Sequence, residues 1–180
     1  MKEGANEAHE LAVDCIYTAL LQLMQIKPYR DISITEITRR AGVSRMAYYR
    51  NFSDKDGILL RRLEDRFLRV EAILKESSDL SERDAWEQVV STLLNEPIME
   101  SILKARLMDK AFPVVKDILI RVYASLFYWN PGDEGAMFLF YQRLGSLFGF
   151  LMYAIEQKHR LSTSTLVRHL MALAADGEKR

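Results

Sequence analysis

The chain has 180 residues, 49% of them apolar and 28% charged, with 25 basic and 25 acidic side chains. This length favours one domain, or two small ones sharing a core, able to bury about 70% of the unfolded surface without a disulfide or metal staple. The composition excludes intrinsic disorder, and zero net charge excludes a wholesale polyanion binder but not a local basic face. No run of about 18 uninterrupted apolar residues occurs, so no membrane span is expected. The first residues carry no apolar signal segment, and a lone cysteine, Cys15, has no internal disulfide partner. The expectation is a soluble cytoplasmic protein without membrane partner, metal or cofactor.

Gly and Pro are scarce, and apolar residues recur at helical rather than strand spacing, which predicts an all-α fold. Ala8, Leu11, Ala12, Cys15, Ile16, Ala19, Leu20 and Leu23 form one stripe, predicting an amphipathic helix over about residues 6–25 that Lys27-Pro28 stops. Ser33-Ile34-Thr35-Glu36 is a capping box opening a short helix, about 34–40. Gly42 suits the left-handed turn after it. Ser44 reads as the N-cap of another short helix, about 45–51. Ser53-Asp54-Lys55-Asp56 starts a long one, about 54–75, carrying Leu59, Leu63, Phe67, Val70 and Leu74. Further helices are expected over about 81–95, 97–106, 112–128, 134–158 and 163–175, with Pro97, Pro113 and Pro131 at their starts or gaps.

Two short helices joined by a glycine-containing turn form a helix-turn-helix pattern. From Lys27 to Lys55 there are seven basic residues (Lys27, Arg30, Arg39, Arg40, Arg45, Arg50 and Lys55) against Asp31, Glu36 and Asp54. DNA binding needs such a local excess, because phosphate neutralisation and counterion release supply much of its free energy. The first turn of the second short helix carries Arg45, a fork donor able to bond guanine bidentately, with Met46 and Ala47 suited to thymine methyls. Considered alone, this helix reads first as an ordinary cationic surface helix, to which basic helix faces usually belong.

The whole string from Ser33 to Lys55, with its Ala41-Gly42-Val43-Ser44 turn, the Tyr49 and Phe52 pair and Lys55, resembles the DNA-binding domain of the TetR family of bacterial transcriptional regulators. The resemblance covers about residues 8–70. It implies a three-helix DNA-binding head (1–53) and a helical body (54–180, with the linking helix at about 54–75) that binds an effector and dimerises. Carried over, Arg45, Met46 and Ala47 face bases; Ser33, Ser44, Tyr49 and Lys55 contact phosphates; Tyr48 and Phe52 are core. Asn51 stands where the family often has an aromatic residue or histidine. Glu3, Glu7 and Glu10 stand where many members are basic, so no minor-groove arm is expected.

The body has no strong motif but is dense in aromatic residues and methionine. Met108, Tyr123, Phe127, Phe138, Tyr141 and Gln142 are expected to line a pocket for a small effector, with Arg106, Asp109 and Arg143 as further polar candidates. The stretch from Phe138 to Tyr153 is apolar on nearly all faces, which predicts burial against a second chain. Leu147, Phe150 and Leu151, with Leu166 and Leu170 of the last helix, are the expected homodimer interface. Glu156 and His159 match half of a di-metal motif without a second copy, so no metal site is expected. No nucleophile elbow, phosphate loop or dinucleotide fingerprint occurs, so no enzyme is expected. The leading expectation is a homodimeric regulator, a repressor released from a palindromic operator by a small apolar ligand. The alternatives are a relative controlled by a protein partner, or a helical ligand-binding or enzymatic protein that keeps the head only as a scaffold.

Overall fold

A computed structural model describes residues 2–76, 81–94, 97–126, 130–157 and 162–175. The described residues form nine α-helices: α1 (Lys2–Met24), α2 (Ile34–Ala41), α3 (Arg45–Asn51), α4 (Asp56–Glu76), α5 (Glu82–Leu94), α6 (Ile98–Ala105), α7 (Met108–Leu126), α8 (Glu134–Glu156) and α9 (Thr163–Ala175). A 3-10 turn, Tyr29–Asp31, stands between α1 and α2. No strand occurs among the described residues, and the fold is all-α.

The chain divides into two compact units, Met1–Leu63 with Glu100–Ala111, and Glu64–Met99 with Phe112–Arg180. The first therefore extends past the boundary expected at residue 53. Ile58, Leu59 and Leu63, on the first turns of α4, are buried and belong to the unit that holds the three head helices. In that unit α1 packs on α2 and α3, which also pack on each other. The buried face of α1 is Val13, Ile16, Tyr17, Ala19, Leu20 and Leu23, which keeps Ile16, Ala19, Leu20 and Leu23 of the expected stripe and adds Val13 and Tyr17. Leu11 is 66% exposed, and Cys15 is only half-buried. Ion pairs of Arg62 with Asp14 (3.0 Å) and of Arg61 with Glu10 (3.7 Å) join α1 to α4.

Helix α6 ends on Arg106, a non-glycine residue with φ 59°. Its N–H donates to the Leu103 carbonyl at 3.1 Å and that of Leu107 to Ile102 at 3.0 Å, closing the helix. Pro113 lies inside α7 rather than at its start. The helix begins earlier than expected because the Ala111 N–H already bonds the Leu107 carbonyl (2.9 Å), so Pro113 falls beyond the first turn.

In the second unit α5, α8 and α9 pack on one another. Helix α8 is long and apolar enough to cross a membrane by length and composition alone. Its apolar residues serve two faces. Phe140, Leu144, Leu147, Phe148, Leu151 and Ala154 are buried, while Phe138, Tyr141, Gly145, Gly149, Met152 and Tyr153 form an exposed stripe at helical spacing. Glu71 is buried beside Lys75 (2.8 Å) and Arg121 (3.2 Å). Burial pushes its carboxyl up, but the two cations outweigh this and hold it below its ordinary value.

Candidate nucleic-acid interface

Ser33 and Glu36 form the capping box the sequence specifies. The Glu36 N–H donates to Ser33 Oγ (3.3 Å), and the Ser33 N–H donates back to Glu36 Oε2 (3.0 Å). Gly42 takes φ 68°, and its turn is closed by the Val43 N–H on the Thr38 carbonyl (3.1 Å). Ser44 Oγ then accepts from the Ala47 N–H (3.0 Å), opening α3. The turn is short because both helices are terminated and started by the residues that flank it.

Two aromatic side chains anchor α3. Tyr48 is fully buried and Phe52 is 5% exposed, their ring centroids 5.8 Å apart. The Tyr48 hydroxyl has no hydrogen-bond partner among the described residues, and burial raises its pKa, with the nearby Asp54 charge adding to the rise. With this face inward, the first turn of α3 points out. Met46 is 74% exposed, Arg45, Tyr49 and Arg50 are exposed, and Ala47 is half-buried. The Arg45 guanidinium lies 5.9 Å from the Tyr49 ring centroid, one helical turn on, with Nη2 at 3.5 Å from the Tyr49 hydroxyl. The ring thus holds the arginine fork clear of α3 without a competing carboxylate among the interactions described. Asn51 donates its amide to the Ala47 carbonyl (2.8 Å), an internal use of the group.

The cations before and after the two helices are used differently from expectation. Lys27 binds Glu36 (2.6 Å) and the Asp31 carbonyl (2.8 Å). That hydrogen bond from Lys27, then those from Ser33, lower the Glu36 pKa to about 2. Lys55, expected at a phosphate, spends all three ammonium donors on the carbonyls of Tyr29 (2.7 Å), Arg30 (3.1 Å) and Ile32 (3.0 Å). It lies over the Tyr29 ring as well, at 4.5 Å. The sequence carried no signal for this, because the 3-10 turn that gathers those carbonyls was not foreseen. Arg30, Arg39 and Arg40 remain exposed around α2, with Arg40 Nε on Gln22 (2.7 Å).

The residues expected to line a ligand pocket differ in exposure. Tyr123 is buried, but Phe138, Tyr141 and Gln142 lie on the exposed stripe of α8; Phe138 is 74% exposed. Met108 is half-buried in the first turn of α7, and Phe127 lies outside the described residues. The expected interface residues Leu147, Leu151, Leu166 and Leu170 are each 1% exposed within the single chain, so a partner has nothing left to bury there. Phe150 is half-buried beside the His169 ring (6.0 Å). The reason is common to both corrections: a helix apolar all round does not reveal which side faces its own core. Arg106 and Asp109 are exposed. Arg143 instead pairs with Glu82, which also accepts from the Tyr123 hydroxyl (2.9 Å). Trp86 packs against Tyr123 with ring centroids 5.6 Å apart, and its Nε1, like Arg143 Nε, is buried without a hydrogen-bond partner among the described residues.

An exposed, Ser-capped helix held at a fixed turn from a second short helix, with an arginine at its leading end, defines a helix-turn-helix DNA-binding protein. Residues 16–61 match the sequence profile of the bacterial regulatory proteins, tetR family. No curated protein matches the chain. Among solved structures, the fatty acid degradation regulator FadR from Bacillus halodurans is similar in fold over 89% of this chain and 96% of its own, with a TM-score of 0.58 and 14% identity. Over residues 16–61 the chain is thus similar to the tetR family of bacterial regulatory proteins, and this head supports a DNA-binding transcriptional regulator.

Proposed function

We propose that the protein is a homodimeric repressor that binds a palindromic operator and is released by a small apolar ligand. The observation that carries the DNA reading is the outward first turn of α3, with Arg45, Met46 and Ala47 reading bases while Ser33, Ser44 and Tyr49 meet phosphates. Lys55 serves the same surface indirectly, by holding the backbone that leads into Ser33.

The dimer reading is supported by the exposed stripe of α8 in place of the buried leucines. Added Cβ atoms at Gly145 and Gly149 meet nothing within 4 Å among the described residues, and the middle of the stripe is flanked by Phe138, Tyr141, Met152 and Tyr153. Close backbone approach there suits a helix of a second copy. Effector binding in the body, residues 54–180, is supported by the buried donors of Trp86 and Arg143, which a ligand acceptor would satisfy.

Selection of bound DNA fragments, followed by mobility shifts across a salt series, tests this reading. Expected is a palindromic site bound with steep salt dependence; indifference to sequence at all salts refutes it and leaves the head as a scaffold. Gly145→Leu tests the dimer. The side chain has room in the single chain and improves helix propensity by about 1 kcal/mol. Sedimentation is expected to show monomers, and an unchanged dimer places the interface elsewhere.

A further inference from the structure

Lys110 stands in the first turn of α7, and its ammonium binds Asp56 Oδ2 at 2.6 Å. Asp56 is the first residue of α4, and its other oxygen accepts from the Tyr29 hydroxyl at 2.6 Å. Tyr29 belongs to the 3-10 turn, 8% exposed, and its carbonyl is one of the three that hold Lys55. Ile32, whose carbonyl is another, directly precedes Ser33, the N-cap of α2. All of these residues lie in the first compact unit, and α7 continues from Ala111 into the second.

We propose that Lys110 is a positioning residue for DNA binding: through Asp56 and Tyr29 it fixes the carbonyl cradle around Lys55 and thereby the entry into α2. The proposal rests on the DNA-binding reading above. The chain of contacts is continuous at hydrogen-bond distance, and each link is charged or charge-assisted. Tyr29 spends its one hydroxyl on Asp56, which adds a polar tether to the packing of its buried ring. Asp56 has its remaining oxygen on Lys110, a side chain 49% exposed that packs in no core. A lysine in this position contributes little to global stability, as exposed ion pairs do. Its effect is therefore local, on the turn at 29–31.

The test uses Lys110→Gln and Lys110→Arg in the full chain, with Lys116→Gln as control, since Lys116 pairs only with its neighbour Asp117 among the ion pairs described. Against the selected operator, Lys110→Gln is expected to bind about five-fold more weakly at every sequence, with an unaltered salt slope and thermal midpoint, and Lys110→Arg to restore binding. A slope reduced by about one unit would make Lys110 a phosphate ligand and overturn the proposal. So would unchanged affinity, or a loss that tracks the thermal midpoint and resists rescue by arginine. A readout without DNA separates this proposal from the reading it rests on. The Asp31 and Ile32 amides donate within the turn, to Pro28 (3.0 Å) and Tyr29 (3.2 Å), and their hydrogen exchange is expected to quicken in Lys110→Gln but not in Lys116→Gln. Equal exchange in both variants refutes the relay whether or not the protein binds DNA.

Discussion

Tyr48 offers a sharp test of how the recognition helix is held. Its ring is fully buried, 5.3 Å from the Tyr49 centroid and 5.8 Å from that of Phe52, while its hydroxyl has no partner. The ring and the hydroxyl therefore act in opposite directions. A buried polar group left unsatisfied costs about 1–3 kcal/mol, so Tyr48→Phe should stabilise the fold, at the low end by about 1 kcal/mol. For a chain of this length that is a rise of about 2–4 °C in thermal midpoint. Tyr48→Ala removes the ring as well and should cost about 3–5 kcal/mol, a large share of the roughly 5–15 kcal/mol typical of a whole protein. The assay is urea unfolding followed by helical circular dichroism, with operator binding measured alongside. The phenylalanine variant should bind DNA as the parent does, because no part of Tyr48 is exposed. If Tyr48→Phe lost 1 kcal/mol or more, the hydroxyl would have to be hydrogen-bonded, and the account of α3 as a purely apolar-anchored helix would fail.

Other expectations follow from the same geometry. Arg45→Ala should lower discrimination at one operator position by about 1–3 kcal/mol, measured by competition between single-base variants; equal preference for all four bases would remove Arg45 as a reader. Gly42→Ala should cost about 1–2 kcal/mol in denaturant unfolding, because φ is 68° while the added Cβ meets nothing within 4 Å. A much larger loss would indicate a steric clash that the turn does not contain. The Glu36 carboxyl is held at about 2 by Lys27 and Ser33, below its ordinary 4.5. A lowered carboxylate pKa stabilises the folded state above the unfolded value, and this contribution fades as pH falls from about 4.5 towards 2. Carbon NMR titration of Glu36 should show a midpoint near 2 that moves upward in Lys27→Met; an unmoved midpoint would show that Lys27 is not its cause.

Much of the head was legible because its signals are local. Ser33 with Glu36, Gly42 and Ser44 each act on backbone groups within a few residues, so helix ends at α2 and α3 follow from chain neighbours alone. The outward first turn of α3 was legible for the same reason: two buried aromatics four residues apart, Tyr48 and Phe52, fix which side of a seven-residue helix turns in.

What the amino-acid order determined by itself was thus the helical class, the helix-turn-helix and which turn of α3 faces outward. Tertiary structure decided the rest. Only the folded chain brings the carbonyls of Tyr29, Arg30 and Ile32 around Lys55, and only it joins Asp56 to Lys110, because those partners are distant in sequence. It also chose between the two apolar faces of α8, turning Leu147 and Leu151 inward and Phe138 and Tyr141 outward. Hydrophobicity is non-directional, so an all-apolar helix is assigned a face by the elements that pack on it and not by its own residues.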